Sequence, residues 1–284
     1  MLACLAALWI GDREHAILAI PTALYGLLLL GLTVWLIPEQ AQQPAAGAFS
    51  LRATGSRPSI AARDGVAALS FAWVMVIGVA LGGLYGGIHV PFLSAWMASV
   101  RATHTIFPDG AQPWHSLATE VLIPGALMLA CGATLRQLGV ARTVRGTGGA
   151  LLACLALPIL MSAFTLFTGR ISLAALGLAT LRSSINAGFS EEFLARGIWL
   201  SQLRAHVTDH WALVISATMF ALPHLGGTIA EERGNILLAV ANVIALNAPI
   251  GVALGMLALR SRSLLLPGAV HTSLDVMARL TGAH

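Results

Sequence analysis

The stretch SSINAGFSEEFLARGIWLSQL, residues 183–203, is bracketed by Arg182 and Arg204 and carries Glu191, Glu192 and Arg196 in its middle. It is otherwise apolar and long enough for a membrane helix, which needs about 20 residues to cross about 30 Å of hydrocarbon. Ionisable groups at that depth are costly, and they mark function by default. Two later apolar segments carry the same kind of burden. One reads Phe220-Ala221-Leu222-Pro223-His224 and the other His271-Thr272-Ser273-Leu274-Asp275. Groups of this sort are tolerated only when they face one another.

The remainder of the 284-residue chain fits a membrane setting. It is 57% hydrophobic and 10% charged, with mean hydropathy +0.82, where a soluble domain carries about 25% charge. Apolar runs of membrane length recur, and the short period-2 segments of a β-barrel are absent. The expected fold is all-α, a polytopic transmembrane helical bundle of about eight spans. These spans fall near 16–37, 66–100, 116–135, 149–168, 183–203, 210–227, 235–259 and 264–280. Residues 1–148 read as N-terminal transmembrane helices. Residues 149–284 read as a core that holds the motifs, between 190 and 275. Segment 171–181 reads as a separate interfacial helix and 38–65 as a loop. The centre of 66–100, Gly82-Gly83-Leu84-Tyr85-Gly86-Gly87, suggests a bend or close helix contact.

All 16 basic residues are Arg, scattered through the loops without interleaved aromatics, so no nucleic-acid partner is expected. Alternating the spans puts Arg52, Arg57, Arg63, Arg136, Arg142, Arg145, Arg204, Arg260 and Arg262 on the side the positive-inside rule makes cytoplasmic. Cys4, Cys131 and Cys154 are isolated, which argues against a disulfide framework or a cysteine metal site. Residues 1–11 are too short to span and lack the basic start of a signal peptide.

Depth links the three motifs. At 1.5 Å rise per residue, Glu191 and His224 lie roughly 20 Å and 21 Å from the cytoplasmic ends of their spans, and His271 about 14 Å. Glu192 and Arg196, at i and i+4, meet on one helical face as an ion pair that holds the Arg in the membrane. Glu191 is rotated about 100° away. It has no expected partner on its own helix, so it is free to act as a general base. Phe220 and His224 are also i and i+4, so the ring walls the site while the imidazole points in. Pro223 loosens the helix beside His224. On the last span, Asp275 accepts from His271 and sets its tautomer, or donates as the acid to a developing oxyanion. Glu191, His224 and His271 form a set that suits Zn2+ or another divalent metal. They equally suit metal-free activation of water.

EExxxR, FxxxH and Hxxx(N/D), in that order on separate membrane helices, resemble the CPBP family of intramembrane proteases. This family includes type 2 CAAX prenyl endopeptidases and bacterial abortive-infection and bacteriocin-immunity proteins. The resemblance implies an intramembrane endopeptidase in which Glu191 activates water with help from His224. His271 and the residue at Asp275 would bind the oxyanion, with Glu192 and Arg196 in support. Many members carry Asn where this chain has Asp275. The expected setting is a multi-pass membrane protein, and the short loops and composition suggest a bacterial cytoplasmic membrane. Its partners would be membrane lipid and a peptide or membrane-protein substrate, in maturation of a peptide or protein or in bacteriocin immunity. Two other readings use the same residues: a proton-coupled transporter, since Glu and His chains relay protons, and a catalytically silent scaffold.

Other polar positions have plainer readings. Asn242 and Asn247 suit interhelical hydrogen bonds, and Gly251 with Gly255 a helix-packing face. Trp35, Trp96, Trp114, Trp199 and Trp211 fit an aromatic belt. Glu231-Glu232-Arg233 reads as a solvated outer loop. His89 reads as interfacial, and His104, His115, His206, His210 and His284 receive no role. HExxH, GxSxG and Walker loops are absent.

Overall fold

The computed structural model describes residues 13–37, 57–81, 94–99, 102, 111–143 and 146–281. Residues 1–11, the Gly82–Gly87 stretch, His89, His104 and His284 lie outside that set. The described residues are mostly helical, with no strand among them. Eight long helical runs follow one another. They are α1 (Arg13–Leu36), α2 (Arg57–Leu81), α3 (111–130), α4 (Gly148–Phe167), α5 (173–206), α6 (Asp209–Glu231), α7 (Ile236–Ser261) and α8 (Leu265–Thr281). Each expected span overlaps one of these helices among the described residues. Four stretches, Ser59–Gly78, Gly148–Phe167, Asp209–Glu231 and Ile236–Ser261, are long and apolar enough to cross a membrane.

Three boundaries differ from the sequence reading. Segment 171–181 is not a separate helix, because Leu173–Ser183 runs without a break into the charged stretch of α5. Residues 57–65 are no loop: α2 starts at Arg57 and buries Arg63, whose Nε donates to the Ser59 carbonyl. At the end of the third span, residues 131–140 turn back instead of continuing the helix. That turn is laced into the bundle. Ser201 donates to the Gln137 carbonyl, the Leu264 N–H to Gly139 and Ser263 to Ala141.

Helix α5 lies among its neighbours, and every residue from Phe193 to Leu200 is buried. It packs on α2, α3, α6, α7 and α8, while α7 also packs on α1 and α6. Small residues permit the close crossings. Gly188 of α5 and Gly268 of α8 meet backbone to backbone, so a Cβ on either would strike the other helix. Gly251 and Gly255 face Ala217 and Leu213 of α6, the packing role expected of them.

The aromatic belt is only partly as expected. Trp35, Trp114 and Trp211 are exposed, as suits an interface. Trp199 is buried and donates from Nε1 to Ser70 at 3.0 Å, with Phe71 edge-on to its ring. It belongs to the α2–α5 contact. The 231–233 loop is also not wholly solvated: Glu232 is buried and accepts from Asn242 Nδ2 at 3.2 Å. A polar group on the adjacent α7 stabilises the buried carboxylate.

Candidate active site

Local helix pitch decides which side chains face the site. Ser184–Glu191 and Phe193–Leu200 of α5 are π-helical, a conformation that recurs at functional sites. Its i to i+5 spacing is visible in the side chains. Ser190 donates to the Ile185 carbonyl, and Ser201 to that of Arg196. The same pitch sets Asn186 beside Glu191, and Asn186 Nδ2 donates to Glu191 Oε1 at 3.4 Å. Glu191 therefore does have a partner on its own helix. A search at α-helical spacings misses it, because i and i+5 share a face only in the wider turn.

Glu192 and Arg196 form the ion pair that their spacing suggests. Nε and Oε2 are 3.2 Å apart, and both side chains are 0% exposed. These two atoms are not aligned for a hydrogen bond. The guanidinium is further stabilised by the Gly251 carbonyl, which accepts from Nη2 at 3.1 Å, and by the Phe220 ring face 4.6 Å from Cζ. Phe220 thus serves two partners, since a cation over an aromatic face is attracted by the ring quadrupole and the His271 ring packs edge-on at 5.5 Å.

His271 joins α8 to this pair. Its Nδ1–H donates to Glu192 Oε1 at 2.8 Å. The expected His271–Asp275 hydrogen bond is not formed, because Nε2 and Oδ1 are 3.9 Å apart. Glu192 holds the ring instead, from the neighbouring helix, and this orients Nε2 toward Asp275 and toward Glu191 Oε2 at 4.0 Å. Direct contact of α5 and α8 at Gly188 and Gly268 makes this reach possible.

His224 sits where α6 tightens. Pro223 lies in the single 3-10 turn Leu222–His224 between two α-helical pieces. Proline cannot donate the hydrogen bond an α-helix needs there. The His224 ring packs 5.6 Å from Phe220 and interacts electrostatically with Glu191. Gly78 of α2 presses against the Pro223 carbonyl and supports the turn from behind.

One carboxyl was not foreseen. Glu120 lies in the Leu117–Leu122 π turn of α3, which packs against the Ser184–Glu191 turn. Its signal was present in the sequence, as the single charged residue in the apolar run 116–135. No spacing rule connects it to a motif more than 70 residues away.

A zinc site needs about three or four donors converging within about 2.0–2.2 Å of one point. Among the described residues no group of three or more His, Cys, Asp or Glu converges in that way. Glu191, His224 and His271 do not form a ready-made metal set, and no step below is routed through a metal.

A carboxylate, two imidazoles and a buried ion pair thus come together inside an apolar helical bundle. Residues 173–277 match the family model described as Rce1-like, type II CAAX prenyl endopeptidase Rce1-like. The matched segment contains all three motifs, and the match agrees with their resemblance to CAAX-type proteases. Comparison with curated proteins and with solved structures found no match. The apolar helices and the protease family together make this a membrane protein.

Proposed function

We propose that the chain is an intramembrane endopeptidase that hydrolyses peptide bonds near the cytoplasmic face. The observation carrying the reading is the junction of α5 and α8. There Glu191, Glu192, Arg196, His271 and Asp275 face one another inside the segment that matches the protease family.

In the proposed reaction Glu191 Oε2 takes one proton from a water molecule as its oxygen attacks the substrate carbonyl carbon. The carbonyl π electrons move to oxygen. His271 stabilises that oxyanion from an Nε2–H, its ring held by Glu192, and Asp275 lies beside it. The C–N bond then breaks, and the proton held on Glu191 passes to the leaving nitrogen. His224 assists Glu191 from α6, while Arg196 fixes Glu192. Low dielectric strengthens each of these interactions with the developing charge.

The proposed substrate is a peptide or membrane protein reaching the site from the cytosol or laterally. Maturation of a small peptide or secreted protein is the preferred role, and bacteriocin immunity or cleavage of prenylated CAAX proteins are further outcomes. The proposed setting is a multi-pass protein of a bacterial cytoplasmic membrane.

The test compares peptide termini, by mass spectrometry, in membranes from cells carrying wild type or Glu191→Gln. Termini that vanish in a folded, expressed variant support proteolysis and name the substrate. Identical termini would return the transporter and scaffold readings to first place. Because the donors do not converge, turnover of the purified protein is expected to persist through dialysis against a chelator. Loss of turnover on chelation, with recovery on adding zinc, would require the metal reading.

A further inference from the structure

A second carboxyl, Glu120, lies on a π turn packed against the one that carries Glu191. Glu191 has Oε1 engaged by Asn186 of its own helix, and its Oε2 is 4.0 Å from His271 Nε2, beyond hydrogen-bond reach. Glu120 lies on α3, four residues after Ser116. Its Oε2 is buried and has no hydrogen-bond partner among the described residues. The π turn that carries Glu120 packs directly on the π turn that carries Glu191, and the two carboxyls interact electrostatically. An unpaired carboxyl oxygen is expensive to bury, more so at membrane depth. Its retention calls for a partner that belongs to the working protein.

We propose that Glu120 is a second water-holding residue: the attacking water donates one O–H to Glu191 Oε2 and the other to Glu120 Oε2. With both hydrogens engaged, the lone-pair side of the water is directed away from the carboxyls, toward the substrate carbonyl. Only the proton on the Glu191 side is transferred. Glu120 Oε2 accepts its hydrogen bond either as a carboxylate or as the carbonyl oxygen of the acid, so the role does not require its ionisation. Glu120 lies outside residues 173–277, so the N-terminal half of the chain completes the site rather than merely embedding it. This inference rests on Glu191 being the base.

The experiment uses the full chain in lipid vesicles and a fluorogenic peptide spanning a bond whose new termini depend on Glu191. Glu120→Leu is expected to lower kcat about 10- to 100-fold, the usual cost of misplacing a reacting group by about 1 Å, with KM within about twofold. Glu120→Asp, which withdraws the acceptor by one methylene, should fall between Leu and wild type. Glu120→Gln keeps an acceptor oxygen and should recover most of kcat. A folded Leu variant with wild-type kcat overturns the proposal, as does a raised KM with unchanged kcat or a folded Gln variant as slow as Leu. If Glu120→Leu does not fold, Glu120→Asp decides: wild-type kcat there overturns it. Glu191→Gln is run alongside. A wild-type rate in that variant rejects Glu191 as the base, a failure distinct from that of Glu120.

Discussion

Arg196 carries a charge that the hydrocarbon around it cannot solvate, and three neighbours of different kinds offset it: Glu192, the Gly251 carbonyl and the Phe220 ring. A buried pair of this kind contributes little net stability, but removal of one partner leaves an uncompensated charge and costs about 3–5 kcal/mol. Glu192→Gln is therefore expected to lower the thermal midpoint in detergent strongly. The double variant Glu192→Gln/Arg196→Leu should recover part of that loss, and melting curves of both check it. Equal losses in the single and double variants would remove Glu192 as the support of Arg196. Glu192 also holds His271, so the double variant should stay inactive even where it is stable. Stability and turnover separate there because one carboxylate offsets a charge with one oxygen and orients an imidazole with the other.

At the scale of elements, the site depends on how closely α5 and α8 approach. Gly188 and Gly268 are in backbone contact, and Thr272 lies over Gly188. Its hydroxyl donates back to the Gly268 carbonyl at 2.8 Å. A methyl group at Gly268 has no space without parting the helices, and overpacking of this kind costs about 1–3 kcal/mol. Gly268→Ala is expected to lengthen the Glu192–His271 hydrogen bond and to reduce kcat more than it reduces stability. A kinetic and thermal comparison with wild type reads both, and unchanged kcat would show that the crossing has slack. In α6 the local decision is made by Pro223, whose 3-10 turn reorients the chain at His224.

Across the whole molecule, the N-terminal helices are tied to the motif-bearing half by a few long side chains. Arg260, in the last turn of α7, donates from Nη1 to the carbonyls of Val34, at 2.7 Å, and Ile37 at the end of α1. A cation there satisfies carbonyls that a helix C-terminus leaves without partners. Asp64 of α2 accepts from Gln202 of α5 and pairs with His206 Nε2 at 2.8 Å, giving His206 a contact that its sequence position did not suggest. Arg260→Leu is expected to lower stability by about 1–3 kcal/mol, the cost of unpaired buried acceptors. It should leave kcat unchanged at temperatures where the protein is folded, since these bonds tie α7 to α1 and involve no site residue. A loss of kcat in the folded variant would couple α1 to the site.

The sequence by itself determined the helical membrane class, the order of the helices and the ion pair of Glu192 with Arg196. Each of these rests on local quantities: the length of an apolar run, the cost of a charge within it, and the four-residue period of an α-helix. It also singled out Glu191, His224, His271 and Asp275, because ionisable residues stand out against an apolar background. Tertiary structure alone decided which of them touch. Asn186 reaches Glu191 only because packing widens α5 into a π turn, a change of pitch that no residue in the stretch announces. His271 bonds Glu192 rather than Asp275 because two glycines let α5 and α8 come close, and a partner on another helix then lies nearer than the one four residues away. Glu120 was visible as a lone charge on α3, but its place beside Glu191 follows from helix packing. Which faces of two distant helices meet is set by the shape of the whole core and has no signature in the spacing of either one.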